Sequence, residues 1–218
     1  MRTLYTKYNK QWIASLPVTH FGGRIIVIQT VGEAQRAVDY LLTFPRLGID
    51  TETRPNFKPG AMHPVALLQV STYDTCFLFR LNYIGMPECI VRLLTSPAVM
   101  KVGLSLHDDW AQLQKRADFT PKAYVDLQDY VEPLGVEDRS LQKLFANFFS
   151  QKISKAQRLT NWEAETLSPA QKMYAAIDAW ACILLYDEIS HLRATGQYQL
   201  VAEPVAKAEG GATPSSRA

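Results

Sequence analysis

The sequence predicts an α/β domain with a mixed β-sheet covered by helices, and three observations carry that expectation. Short apolar strands come early, two of them flank a tight polar turn, and another returns between amphipathic helices. Arg24 to Gln29 is rich in isoleucine and valine and reads as the first strand. Thr30-Val31-Gly32-Glu33 has capping-box spacing, so a helix is expected from Val31 to about Leu42. Leu47 to Asp50 is a second strand. Val65 to Ser71 and Cys76 to Phe79 flank Thr72-Tyr73-Asp74-Thr75, which predicts a hairpin. The pattern then alternates: a helix over Pro87 to Thr95, a strand at Met100 to Gly103, an amphipathic helix over Leu106 to Ala117, a strand at Tyr124 to Asp126 and a helix over Ser140 to Phe149. The clearest helix opens at Ser168, with Pro169 at its first position and Gln171 closing the box, and runs to about Leu192. No internal repeat or second domain is visible. The domain is expected over residues 23–195. Residues 1–22 read as an extension with a flexible exit at Phe21-Gly22-Gly23, and residues 203–218, dominated by Pro, Gly, Ser and Ala, as a disordered tail.

Bulk properties set the frame. The 218 residues allow one well-buried core, and 47% hydrophobic with 20% charged residues is ordinary for a soluble domain. A net charge of +2, from 23 basic against 21 acidic residues, argues against wholesale coating of nucleic acid but leaves room for a local basic groove. Cys76, Cys89 and Cys182 have no metal-ligand spacing and read as reduced thiols, as in a cytoplasmic protein. Met1 to Trp12 lacks the apolar core of a secretory signal, and no run approaches the ~18 to 20 apolar residues of a membrane span. No membrane partner is expected.

The chemistry concentrates in carboxylates. Leu47-Gly48-Ile49-Asp50-Thr51-Glu52 runs from an apolar strand into two acids. Strand alternation points Asp50 and Glu52 to one side, about 6 to 7 Å apart along the chain. Two cations in a phosphoryl-transfer site lie about 3.5 to 4 Å apart, a spacing such a pair can serve. Taken alone, Asp-x-Glu is a weak signal that more often marks a solvated strand end. Asp178 is the only charge in Ala175 to Leu185, so it needs a partner or a metal. Tyr174 lies one turn before it on the same helical face. A core aspartate beside a structural tyrosine is the plainer account of that pair. In Val102 to Trp110, Leu106, Trp110, Leu113 and Ala117 form the inward stripe. Asp109 flanks that stripe, whereas Asp108 aligns with Gln112 and Lys115 on the polar side.

Asp-x-Glu after a strand, Val-Gly-x-x-x-x-x-Asp at a helix start and Tyr-x-x-x-Asp in a late helix follow the order found in the DEDD-type 3′→5′ exonucleases. Tyrosine in the last motif resembles the subclass that includes RNase D, the Werner exonuclease domain and polymerase proofreading domains. His63 to Ser71 is similar to the family's opening hairpin. Asn161-Trp162, Leu167-Ser168, Gln171 and Tyr174 to Ala179 are similar to its closing segment. The resemblance covers roughly Arg24 to Leu192. One departure stands out: the family often carries Asn four residues before the second-motif aspartate, where this chain has Ser105.

The resemblance implies an RNase H-like mixed β-sheet flanked by helices. It also implies two divalent cations, Mg²⁺ or Mn²⁺, held by Asp50, Glu52, Asp109 and Asp178. Asp50, Glu52 and Asp178 would hold one ion; Asp50 would touch the second, and Asp109 would reach it directly or through water. All-carboxylate ligands suit hard cations rather than zinc. Tyr174 would orient water, since an unperturbed pKa of about 10 makes it a poor base. The product would be a nucleoside 5′-monophosphate released from a free 3′ end.

For nucleic-acid contact the candidates are Thr51, Arg54, Lys58, His107, Lys152, Lys155, Arg158 and Trp162, with Phe57 as a second stacking ring. Each has a plainer account: a helix-start histidine, core aromatics, a solvated basic face. No G-x-x-x-x-G-K-[ST] loop occurs, so no nucleoside triphosphate is used in this chain and a helicase or repair factor would be a separate partner. DNA is slightly favoured over RNA by the closing segment. The competing class is a catalytically silent nucleic-acid-binding or scaffold module of the same fold. Loss of one or more carboxylates is its expected mark, and all four are present.

Overall fold

In a computed structural model that describes residues 1–56 and 63–202, the order is β1 (Arg2–Tyr5), α1 (Lys10–Ser15), β2 (Arg24–Ile28), α2 (Val31–Leu41), β3 (Arg46–Thr53), β4 (Val65–Ser71), β5 (Thr75–Arg80), α3 (Leu81–Ile84), α4 (Glu88–Thr95), β6 (Met100–Gly103), α5 (Leu106–Gln114), β7 (Tyr124–Asp126), α6 (Leu127–Tyr130), α7 (Leu141–Phe149), α8 (Pro169–Thr195) and β8 (Tyr198–Val201). Six strands form one sheet in the order β2-β5-β4-β3-β6-β7. β4 runs antiparallel to both of its neighbours, while the other pairings are parallel. This is the RNase H-like mixed sheet.

Alternation along β3 divides the interior. Leu47 and Ile49 join a core built with α2, α4 and α5, which includes Leu41, Leu93 and Trp110. The opposite face carries Gly48, Asp50 and Glu52, and there α8 packs across β3, β4 and β5. That second core holds Leu67, Leu78, Phe145, Ala175 and Leu185.

The helix starts are set locally. Thr30 and Ser168 both make complete capping boxes, with Glu33 and Gln171 respectively. α8 runs 27 residues, to Thr195, because its apolar face continues through Ile189 and Leu192 before Gly196 ends it in the left-handed region at φ 64°.

Several elements depart from the sequence expectation. β3 continues three residues past Asp50, because its antiparallel ladder with β4 pairs Asp50 with Gln69 and Glu52 with Leu67. α5 stops at Gln114, whose side-chain amide donates to the Phe119 carbonyl at 3.0 Å. Residues 1–22 are more than a flexible entry. β1 pairs in parallel with β8, Tyr5, Tyr8 and Trp12 pack edge to face, and the Asn147 amide bonds the N–H and the carbonyl of Tyr5. The tail expected over residues 203–218 lies outside the described residues.

One contact fixes the spacing between sheet and helix. A Cβ at Gly48 would lie 1.9 Å from the Ala179 carbonyl oxygen of α8. Gly48→Ala must therefore push α8 outward and is expected to cost about 3 kcal/mol, read by urea denaturation. A wild-type midpoint would mean that the helix does not need this approach.

Candidate active site

Close approach at Gly48 sets Asp178 of α8 over the end of β3. One carboxylate oxygen each from Asp50, Glu52 and Asp178 lies within 4.8 Å of the others. Asp178 is 6% exposed, Glu52 is 9% exposed and Asp50 is half-buried. One turn earlier, the Tyr174 hydroxyl hydrogen-bonds the Asp178 carboxylate. Trp162 packs on Tyr174 with ring centroids 6.0 Å apart and planes 36° from parallel.

Asp109 arrives from the other side of β3. The Asp126 carboxylate accepts from the backbone N–H of Ser105 at 3.0 Å and of Leu106 at 2.7 Å, which anchors the start of α5. Ser105 stands there at φ 63°, a left-handed conformation that asparagine adopts more readily than serine. One turn on, Asp109 accepts a hydrogen bond from the Thr51 hydroxyl. It therefore borders the three-carboxylate group rather than joining it. Asp108 and His107 are exposed.

Electrostatics make the cluster costly when it is empty of countercharge. Burial pushes Asp50 well above the usual carboxylate range, and the charges of Asp178, Asp109 and Glu52 push it further. Burial, then Asp178 and Asp109, raise Glu52 to about 9 against the opposing pull of Arg158. Asp178 is pushed up to about 7 by burial, restrained by its Tyr174 hydrogen bond and by Lys155. Asp109 rises to about 6, again by burial, with the Thr51 hydrogen bond holding it down. Burial and the Asp178 and Glu52 charges drive the Tyr174 phenol far up, so it stays protonated. At neutral pH these acids cannot all ionise without a cation. The donors are all oxygen, and burial with Asp50 beside it keeps the Cys182 thiol protonated. The set fits a hard divalent cation.

A cleft of about 310 Å³ opens over this group. Lys155 and Arg158 line it with Asp50, Tyr174 and Asp178, as do Gln128, Arg139 and Gln142, which sequence reasoning missed. Those three come from α6, α7 and the segment between them, so no local motif signals them.

The other basic and aromatic candidates distribute differently. Lys152 donates its ammonium to the Ala14 carbonyl and does not line the cleft. Arg54 pairs with Glu163 at 3.2 Å. Trp162 is fully buried, which removes it as a base-stacking surface. Its ring is core, and its reach to the site is through Tyr174. Phe57 and Lys58 lie outside the described residues.

A mixed sheet with acids near the end of a central strand and on the helix crossing it is an RNase H-like architecture. The chain belongs to the 3′-5′ exonuclease family, whose sequence model matches residues 25–192. It is 30% identical over 157 residues to the bifunctional 3′-5′ exonuclease/ATP-dependent helicase WRN of Mus musculus, a match covering 69% of this chain and 11% of that protein. It is 34% identical over 151 residues to exonuclease 3′-5′ domain-containing protein 2 of Drosophila melanogaster, covering 67% of this chain and 26% of the relative. The chain thus spans a minor part of both relatives. Among solved structures, Escherichia coli RNase D, an exoribonuclease involved in structured RNA processing, superposes with a TM-score of 0.70 at 18% identity, over 80% of this chain and 46% of that one. Among the described residues no helix is long and apolar enough to cross a membrane.

The shifted acids fix a pH dependence. Their folded values exceed the unfolded 3.8 and 4.5, so the stability they contribute is full below about pH 4 and lost as pH rises through about 6, 7 and 9 for Asp109, Asp178 and Glu52. Melting temperatures in EDTA are expected to fall from pH 5 to pH 9. Mg²⁺ or Mn²⁺ should remove most of that fall. A cation effect equal at both ends of the window would argue against binding at these carboxylates.

Proposed function

We propose that this protein is a two-metal-ion 3′→5′ exonuclease that releases nucleoside 5′-monophosphates from the free 3′ end of DNA. The observation that carries the reading is the meeting of Asp50, Glu52 and Asp178 within 4.8 Å, with Asp109 on their flank. Bound Mg²⁺ or Mn²⁺ supplies positive charge against the phosphate oxygens and activates water. Asp50, Glu52 and Asp178 would hold one cation; Asp50 would also touch the second, and Asp109 would reach it directly or through water. Tyr174, whose O–H is donated to the Asp178 carboxylate and whose ring packs on Trp162, would orient the attacking water through the lone pairs of its phenol oxygen. Lys155 and Arg158 meet the phosphates entering the cleft, beside Arg139 and Gln128. Thr51 keeps Asp109 turned inward.

DNA is preferred on the similarity of residues 161–179 to the Werner-type closing segment. The RNase D fold match is the reason to assay RNA in parallel. A helicase or repair factor, if one acts with this domain, is a separate partner. The silent-scaffold reading has no observation in its favour beyond the fold.

The test is digestion of 5′-labelled single-stranded DNA, a recessed-3′ duplex and matched RNA with Mg²⁺, Mn²⁺ or EDTA. A ladder shortening from the 3′ end is expected, abolished by EDTA and by Asp50→Ala or Asp178→Ala. Tyr174→Phe should lower kcat about 100-fold with oligonucleotide binding intact. A wild type that binds these strands yet leaves them whole with both metals is a scaffold, not a nuclease.

A further inference from the structure

The sheet face beneath α8 carries a buried side-chain amide that the site described above leaves unused. Gln69 sits in the middle of β4 with no exposure. Neither its amide nitrogen nor its amide oxygen has a hydrogen-bond partner among the described residues. A buried amide in that state is destabilising. Leucine or methionine would fill the same space without an orphaned group, and the rest of β4 is Val, Ala, Leu and Ser. Glutamine at this position calls for a partner that arrives later.

The strand register identifies it. Gln69 is the direct cross-strand partner of Asp50 on one side and of Leu78 on the other. Opposed residues on antiparallel strands project from the same face, with Cβ atoms about 4.5 to 5.5 Å apart. A glutamine side chain spans that gap. The face is the one that carries Gly48, Asp50 and Glu52 and that α8 covers. Gln69 is thus an unpaired buried amide within reach of Asp50, the acid at the centre of the cluster.

We propose that Gln69 is a positioning residue for Asp50: in the cation-loaded site its amide N–H donates to the Asp50 carboxylate, directly or through one ordered water. This rests on the cation-dependent exonuclease reading. A carboxylate held by such an outer partner keeps one rotation about its Cβ–Cγ bond and presents its lone pairs to the cation in a fixed direction. In the empty site the carboxylate has no such constraint, and the amide is left unpaired.

The test uses Gln69→Met, which keeps volume and removes the amide. Mn²⁺ binding is measured by calorimetry without nucleic acid, beside the metal-free melting temperature and kcat and KM on a labelled oligonucleotide. The expected result is a metal-free melting temperature at or above wild type, Mn²⁺ affinity about 10-fold weaker, and kcat about 10-fold lower with KM unchanged. Gln69→Asn, with an amide able to act through water, is expected to recover part of the affinity. Wild-type Mn²⁺ affinity in Gln69→Met overturns the inference. Failure of both Gln69→Met and Gln69→Leu to fold overturns it too, because the amide would then be holding the metal-free fold. A wild type that binds Mn²⁺ in a Gln69-dependent way but digests nothing sinks the exonuclease reading and leaves this one standing. A wild type that binds no Mn²⁺ overturns both.

Discussion

The absence of a side chain at Gly48 is the constraint on which the site depends. It lets the α8 backbone come against β3 so closely that even a methyl group would strike the Ala179 carbonyl. Asp178, the residue before Ala179, is thereby carried into the space beyond the strand, where Asp50 and Glu52 project. Burial follows from the same approach, because α8 is apolar on nearly every face through this stretch and covers the acids on all but the cleft side. Proximity and desolvation act in the same direction on the three carboxylates, and both raise the free energy of the fully ionised state. A fold that packs like charges this tightly is organised around a cation.

The remaining parts of the site serve that centre from farther out. Arg80, fully buried, donates to the carbonyls of Ala164 and Glu165, and Gln171 donates to the Thr160 hydroxyl and the Asn161 carbonyl. These bonds pin the segment ahead of α8, so Trp162 is held against Tyr174 while Lys155 and Arg158 stay exposed along the cleft. The acids thus stand on a strand and a helix, whereas the basic side chains stand exposed on a loop, the division expected where a site needs fixed geometry at its centre.

The sequence was most legible where a local rule governs. Capping boxes marked the starts of α2 and α8, and strand alternation put Asp50 and Glu52 on one side. The stripe Leu106, Trp110, Leu113 turned Asp109 inward and Asp108 out. It was least legible where distant segments meet. Arg2 pairs with Tyr198, a partnership no window can contain, so β1 and β8 read as an extension and as nothing. Burial of Trp162 depends on Arg80 and Gln171 closing the loop around it, and an indole after asparagine carries no mark of that. Gln128 and Arg139 enter the cleft through the packing of α6 and α7 on α8. Gln69 reads as one polar residue in an apolar strand until the register puts it beside Asp50.

The most direct measurement is anomalous scattering from crystals of the wild-type protein soaked in Mn²⁺. A cation-centred site predicts an anomalous peak between the carboxylates of Asp50, Glu52 and Asp178, with a second near Asp50 and Asp109 when a 3′-terminal nucleotide is bound. A map with no manganese among these acids at saturating concentration, and the Lys155 ammonium turned in to neutralise them instead, would contradict it.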